Sequence, residues 1–180
     1  MRKKSNIYVI SDPHFYHSNI IGYCGRPFNY CSEMNGKIIS KWNGMVTPKD
    51  LVIVLGDWTV YSKSDKVLAL CRRLNGRKIL VRGNHDRRSI NFYLNHGFDF
   101  VCDSFTIGKI IFTHRPMKKV NLMVSPYDFN IHGHIHQNES PHPDLYENVC
   151  VEQTNYYPVN LDTILNKHGI KLKRRNKQGD

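Results

Sequence analysis

Seven side chains that can bind metal ions follow short apolar segments of this sequence. They are Asp12, His14, Asp57, Asn84, His114, His134 and His136. Carboxylate, imidazole and amide groups without a thiolate suit divalent Mn, Fe, Zn, Co or Ni. So many ionisable groups are costly to bury together unless cations hold them. Seven ligands suffice for two ions if one aspartate bridges them, and ions about 3.5 to 4 Å apart can clamp a phosphoryl group and activate water.

The apolar segments themselves predict the elements that position these residues. Short apolar runs predict strands, and 3.6-residue spacing predicts helices. The predicted strands are 6–10, 51–55, 78–82, 129–134 and 148–154 with a hairpin at 104–114, and the predicted helices are 17–24, 32–46, 62–76, 89–96 and 161–168. Alternating strands and helices imply a partly parallel sheet, to which the later hairpins add antiparallel strands. Ligand sites in such folds gather outside the carboxyl ends of the strands, so we expect the seven side chains to share one crevice.

Composition favours one globular domain over residues 1–180. The chain is 40% hydrophobic, and its five cysteines form no C-x-x-C pair, which favours free thiols in a reducing cytoplasm. No apolar run approaches the roughly 20 residues of a membrane span, so we expect no membrane partner. The net charge is +11, and the basic tail at 171–180 carries five of the 26 basic residues. This tail could bind an anionic polymer or be solvated and mobile.

Five short motifs carry a resemblance to a known family. In order they are "DPH" (12–14), "GDW" (56–58), "GNHD" (83–86), "TH" (113–114) and "GHIH" (133–136). Together they resemble the motifs of the calcineurin-like metallophosphoesterase superfamily. The resemblance implies a four-layer α/β/β/α sandwich with mixed sheets and two divalent transition-metal ions, Mn²⁺ first among the candidates. It also implies one ion bound by Asp12, His14 and His136, the other by Asn84, His114 and His134, with Asp57 as the bridge.

The resemblance and the positions beside the motifs indicate further site residues. His85 matches the histidine that sits at the scissile phosphate, where it would stabilise the phosphoryl group or protonate the leaving oxygen. Asp86 could orient His85 or be a turn carboxylate. His17 lies one helical turn past the first motif and could face the phosphate or cap a helix. Arg26 and Arg115 could contact substrate phosphate or be ordinary surface residues.

Departures from relatives narrow the expected activity. Protein serine/threonine phosphatases of the superfamily follow the second motif with Asp-Arg-Gly, whereas this chain reads "GDWTVYSKSD". Repair nucleases of the superfamily are longer and carry a capping domain. The sequence looks most like small stand-alone phosphoesterases of bacteria and their phages. We therefore expect hydrolysis of nucleotide-type phosphodiesters, with a metal-bridging hydroxide attacking phosphorus in line.

Three alternatives stay open beside phosphodiester hydrolysis. Within the enzymes, the chain could be a phosphomonoesterase or a nuclease. Outside them, it could be a protein-binding scaffold similar to the retromer subunit of this fold, although the intact "GNHD" favours chemistry. A nucleic-acid-binding module is disfavoured because the sequence has no recognition-helix signature and no zinc-finger spacing.

Overall fold

The computed structural model describes residues 5–60, 64–140 and 142–172. In these ranges the strands are β1 (Ile7–Ile10), β2 (Leu51–Val54), β3 (Arg77–Val81), β4 (Phe100–Cys102), β5 (Ser104–Ile107), β6 (Ile110–Thr113), β7 (Phe129–His132), β8 (Tyr146–Asn148) and β9 (Val159–Asn160). The helices are α1 (Asn19–Tyr23), α2 (Cys31–Met45), α3 (Ser64–Arg73), α4 (Ile90–Asn95), α5 (Lys119–Met123) and α6 (Leu161–Lys167). Strands β4 and β9 and helix α5 were not predicted from the sequence.

The first sheet has the strand order β4-β3-β2-β1-β9. Its first four strands are parallel, and β9 runs antiparallel to β1. The register places Ile7 opposite Leu51, and Leu51 opposite Arg77. Because β1, β2 and β3 are parallel and aligned, the loops after them leave the same edge of the sheet.

The second sheet has the order β5-β6-β7-β8, and its strands are mostly parallel. Only β5 and β6 form the expected antiparallel hairpin, which turns at Gly108, whereas β6, β7 and β8 are parallel. The predicted strand at 148–154 is wrong, because β8 ends at Asn148 and residues 151–156 form turns. The buried apolar residues from Val149 to Val151 lie where the chain crosses between the two sheets, which explains why they resembled a strand.

Alternating side chains divide the core into layers. Val9 and Ile53 face the second sheet and meet Phe112 and Ile131 there. Their neighbours on β1 and β2 face α2 and α3 in a separate apolar cluster. On the outer face of the second sheet, Leu122 of α5 packs against β6 and β8. The predicted α/β fold with two mixed sheets is confirmed.

The two sheets meet directly at the carboxyl end of β1. The Ser11 N–H donates to the Val149 carbonyl (3.0 Å), and the Val151 N–H donates to the Ser11 carbonyl (3.1 Å). In the second sheet the Gly133 N–H donates to the carbonyl of His114 (2.9 Å), which aligns the ends of β6 and β7. These bonds bring the functional edges of both sheets together.

Three further expectations concern the rest of the chain. All five cysteines are free thiols. Among the described residues, no helix is long and apolar enough to span a membrane. Leu172, in the basic tail, packs against the core between the sheets, and positions 173–180 lie outside the described residues.

Candidate metal centre

The predicted ligands meet at the carboxyl ends of β1, β2, β3, β6 and β7. Two groups of potential ligands stand out, each with ligand atoms that all lie within 4.8 Å of one another. One group contains Asp12, His14 and Asp57, and the other contains Asp57, His114 and His134. Asp57 is the member that both groups share.

Interatomic distances place one oxygen of Asp57 at the centre. Its Oδ2 lies 3.4 Å from His14 Nε2 and 3.6 Å from His114 Nε2. Asp12 Oδ1 lies 3.8 Å from His14 Nε2 and 3.8 Å from His136 Nε2. Asn84 Oδ1 lies 3.0 Å from His114 Nε2 and so joins the second group. Each side of Asp57 therefore carries several ligand atoms aimed at a common point.

The backbone at these ligands is unusual. The five with positive φ are Asp12 (56°), His14 (49°), Asp57 (51°), His134 (71°) and His136 (50°). A non-glycine residue in a sparsely populated region costs on the order of 1–3 kcal/mol, and such residues cluster at functional sites. Backbone bonds between the loops hold this conformation, among them Asp12 N–H to the Gly56 carbonyl (3.1 Å) and His14 N–H to the Asp57 carbonyl (3.0 Å).

Two motif glycines allow the loops to approach this closely. A Cβ at Gly83 would collide with the Asp57 carboxylate and backbone nitrogen. A Cβ at Gly133 would collide with the side chains of Ser11 and Asp12. The glycines of "GNHD" and "GHIH" therefore make room for the carboxylates that the neighbouring motifs supply.

Hydrogen bonds fix which atom of each ligand faces the centre. Asp12 Oδ2 accepts from Ser11 Oγ (2.5 Å), from the His134 N–H (2.8 Å) and from Cys150 Sγ (3.2 Å), which leaves Oδ1 for the centre. His114 Nδ1 lies 2.8 Å from the Leu55 carbonyl. A carbonyl only accepts, so Nδ1 carries the proton and the Nε2 lone pair is free to bind a cation.

Two buried atoms at the centre lack hydrogen-bond partners, namely Asp12 Oδ1 and His14 Nε2. Burial by itself would raise the pKa of Asp12, but the nearby imidazoles of His14, His114 and His136 outweigh burial and hold the pKa well below its usual range. An anionic oxygen and an imidazole lone pair left without donors in the interior are the pattern that a bound cation satisfies. The residues present therefore fit divalent ions.

Of the two roles left open for Asp86, its contacts match that of a turn carboxylate. Its Oδ2 accepts from the backbone N–H groups of Asp57 (2.8 Å) and Gly83 (2.8 Å), and its Oδ1 accepts from that of Trp58 (3.1 Å). Burial raises the pKa of Asp86 to about 6, although these three donors favour the carboxylate. Asp86 thus joins the second and third motif loops and positions Asp57, rather than orienting the ring of His85.

His85 and His17 lie at the open side of the centre. The His85 ring centroid is 5.2 Å from that of His14, and the His85 side chain is 37% exposed. Its own N–H donates to Asp57 Oδ1 (2.9 Å), which orients the loop while the imidazole remains accessible. His17 Nδ1 lies 3.3 Å from His14 Nδ1. Burial and the neighbouring His14 and His85 lower the pKa of His17 to about 4.

The two candidate phosphate-binding arginines have different surroundings. Arg115 is exposed, and its guanidinium donates to Asn84 Oδ1 (3.2 Å). Arg26 is buried, and its guanidinium donates to the Asp12 carbonyl (2.8 Å) and to Glu152 Oε1 (2.7 Å). A solvent-facing guanidinium can contact a substrate, so the placement favours Arg115 for phosphate and gives Arg26 an internal position.

Sequence reasoning missed three residues that hold the ligands in place. Ser11 and Cys150 contact Asp12, and Glu152 Oε1 accepts from His136 Nδ1 (3.0 Å). The bond to Glu152 counteracts burial and raises the pKa of His136 above its usual value. Cys150 and Glu152 fall in the segment wrongly predicted as a strand, and no motif marks them.

Comparison with known proteins agrees with this geometry. The family model for calcineurin-like phosphoesterases matches residues 5–171. The chain belongs to this family.

Relatives of this family member share its fold over most of its length. The uncharacterized protein MJ1445 of Methanocaldococcus jannaschii is 39% identical over 175 residues, which cover 92% of this chain and 90% of that protein. The crystal structure of AQ665 from Aquifex aeolicus, a protein of unknown function, superposes with a TM-score of 0.73 at 28% identity, and the match covers 91% of this chain and all of that chain. These relatives support the fold and leave the substrate to be argued from the site.

Proposed function

We propose that this protein is a dinuclear metal-dependent phosphodiesterase that hydrolyses phosphodiesters of the nucleotide type. The observation that carries the proposal is the central carboxylate of Asp57, shared by two groups of carboxylate and imidazole ligands. When bound, a pair of divalent ions supplies a water of lowered pKa and neutralises charge on the phosphoryl oxygens. The ligand types suit divalent Mn, Fe, Zn, Co or Ni alike. We take Mn²⁺ as the first choice because the family resemblance implies it.

The ligands divide into two sets around Asp57. Asp12, His14 and His136 would hold one ion, which we call site A, and Asn84, His114 and His134 would hold the other, site B. The orphaned Asp12 Oδ1 and His14 Nε2 support site A. The free Nε2 of His114 beside Asn84 Oδ1 supports site B.

The residues at the open side suit contact with the reacting phosphate. His85 Nε2 lies 3.9 Å from Asp57 Oδ2, close enough to reach an oxygen of a phosphate held at the centre. Burial outweighs the attraction of Asp57 and lowers the pKa of His85, which favours the neutral imidazole in the absence of substrate. An anionic phosphate beside it favours protonation, after which it can donate to the leaving oxygen. Arg115 is available for a non-bridging oxygen.

A partly exposed rim leaves access for a diester with a substituent on each side of phosphorus. The described residues after His136 form β8, β9 and α6, and α6 packs into the core between the sheets. These elements pack onto the sandwich, and the half-buried His85 and the exposed Arg115 lie at the rim. The net charge of +11 favours an anionic substrate.

A panel of substrates tests this proposal. Protein stripped of metal and reloaded with Mn²⁺ is assayed on a bis-aryl phosphodiester, the aryl monoester with the same leaving group, a cyclic nucleotide, a dinucleotide and single-stranded DNA. We expect kcat/KM for diesters to exceed that for the monoester by at least about tenfold, a difference of about 1.4 kcal/mol in transition-state stabilisation.

The panel also separates the alternatives. A faster monoester reaction would indicate a phosphomonoesterase, and cleavage confined to DNA would indicate a nuclease. Hydrolysis of none of the substrates by protein shown to hold two ions would favour a protein-binding scaffold. Either the first or the last of these outcomes contradicts the proposal.

A further inference from the structure

We infer that Arg26 and Glu152 form a buried positioning pair for site A, and that this pair strengthens binding of the ion held there more than binding of the ion at site B. The inference rests on the two-ion centre of the proposed function. Neither residue contacts the reacting phosphate in this account. They act through His136 and through the turn that carries Asp12 and His14.

Glu152 controls the orientation of one ligand ring. The side chain of Glu152 is 6% exposed, and its Oε1 accepts from His136 Nδ1 at 3.0 Å. A carboxylate only accepts, so Nδ1 carries the proton and Nε2 turns its lone pair toward Asp12 Oδ1, 3.8 Å away. A carboxylate behind a ligating imidazole fixes its tautomer and raises its basicity.

Arg26 holds the turn that supplies the other ligands. Its guanidinium donates to the carbonyls of Asp12 (2.8 Å) and Pro13 (3.0 Å). Asp12 and His14 both have positive φ, so this turn needs outside contacts to keep its shape. The same guanidinium donates through Nε (3.0 Å) and an Nη (2.7 Å) to Glu152 Oε1. All three ligands of site A are therefore linked to one buried ion pair.

The charges of the pair explain why both residues are needed. A lone arginine beside a cation site would repel the ion, and a lone glutamate would be costly to bury. As a pair they are neutral, and the same Glu152 oxygen accepts from the guanidinium (2.7 Å) and from His136 Nδ1 (3.0 Å). The site B ligands His114 and Asn84 contact the Leu55 carbonyl and Arg115, whereas His134 is linked to Asp12 through its backbone N–H.

The test measures metal affinity rather than activity. Metal-free wild type, Glu152→Gln and Arg26→Lys are titrated with Mn²⁺, and bound ions per chain are counted by elemental analysis and electron paramagnetic resonance. Glu152→Gln keeps an acceptor for His136 but removes the charge, and Arg26→Lys keeps the charge but cannot reach all its acceptors. We expect each variant to weaken one of the two ions by roughly 10- to 100-fold, the effect typical of losing an outer partner of a metal ligand. The other ion should be weakened less, because the bonds of Arg26 and Glu152 go to His136 and to the turn that carries Asp12 and His14.

Glu147→Gln is the matched control. Glu147 also forms a polar cluster, with Lys167 and His168, but this cluster does not include a ligand of the centre. It should bind both ions as the wild type does. If Glu152→Gln fails to unfold cooperatively, Arg26→Lys alone decides the test.

Three outcomes overturn the inference: unchanged binding of both ions, equal loss of both, or the same loss in Glu147→Gln. If the wild type binds two ions but hydrolyses no phosphodiester, the proposed activity fails while this inference stands.

Discussion

The floor of the centre and its rim are built in opposite ways. The floor consists of Asp12, His14 and Asp57, all almost fully buried. The rim consists of His17, His85 and Arg115, which are half-buried or exposed. Each carboxylate of the floor has one oxygen occupied by hydrogen bonds, and its backbone has a positive φ. The side chains of the rim form fewer hydrogen bonds within the protein. The contrast indicates a division of labour in which the floor binds ions and the rim contacts substrate.

The strongest test of this division is Asp57→Asn. An amide offers a single oxygen and no negative charge, so neither ion keeps its bridge. We expect the affinity for both ions to fall by more than the roughly 10- to 100-fold typical of an outer partner, and diester hydrolysis to be lost at limiting metal. Elemental analysis after dialysis measures the first effect. Asp103→Asn is the control, because Asp103 is exposed and pairs with Arg82 away from the centre.

The variant His85→Asn tests whether the rim contacts substrate. Because His85 is outside both ligand groups, both ions should remain bound and KM should change little. We expect kcat to fall by roughly 10²- to 10⁴-fold for an alkyl or ribose leaving group, the usual contribution of acid–base catalysis. The fall should be smaller for a nitrophenolate, which needs little protonation. An equal fall for both leaving groups would indicate charge stabilisation instead, and loss of metal would place His85 in the floor.

A smaller effect concerns the pH dependence of stability through His17. Its pKa in the folded protein is about 4, below the ordinary 6.5, so folding disfavours its protonation. Its contribution to stability is present above pH 6.5 and is lost as the pH falls toward 4. Metal-free wild type should therefore lose more Tm between pH 7 and pH 5 than His17→Gln does. The two proteins should show parallel Tm values between pH 7 and pH 8, and parallel curves down to pH 5 would contradict the prediction.

The smallest effect is expected when the basic tail is removed and hydrolysis of a small substrate is measured. Removing residues 173–180 deletes four basic residues and leaves Leu172 in the core. Hydrolysis of a small diester should not change. If the tail contacts a polymer, binding of single-stranded DNA should weaken and its salt slope should flatten by up to about 0.7 per lost phosphate contact. Unchanged binding and slope would indicate a solvated tail.

The sequence predicted the buried metal ligands better than the residues that hold those ligands in place. Polar residues that directly follow apolar strands can be recognised in the sequence as site residues, because parallel strands bring their carboxyl ends to one edge of the sheet. The residues that form hydrogen bonds with these ligands follow no such pattern in the sequence. Glu152 meets Arg26 and His136 only because the chain crosses between two sheets after β8, and that crossing depends on long-range packing. The strand predicted at 148–154 is wrong for the same reason.

Asp86 and Arg26 show a second limit. The sequence left two roles open for each: Asp86 could orient His85 or be a turn carboxylate, and Arg26 could contact phosphate or lie at the surface. Their side chains turn inward because buried backbone groups need partners: N–H groups for Asp86 and carbonyls for Arg26. Local spacing shows that a polar residue is near a site, but only the loop conformation shows which way it points.

Anomalous diffraction from crystals soaked in Mn²⁺ tests the central claim most directly. Data collected near the manganese absorption edge reveal the number and position of the ions without reference to any substrate. We expect two anomalous peaks about 3.5 to 4 Å apart, the spacing typical of two-metal sites. Both peaks should lie beside the Asp57 carboxylate, one near His136 and the other near His134. A single peak, or two peaks that do not share Asp57, would contradict the central claim.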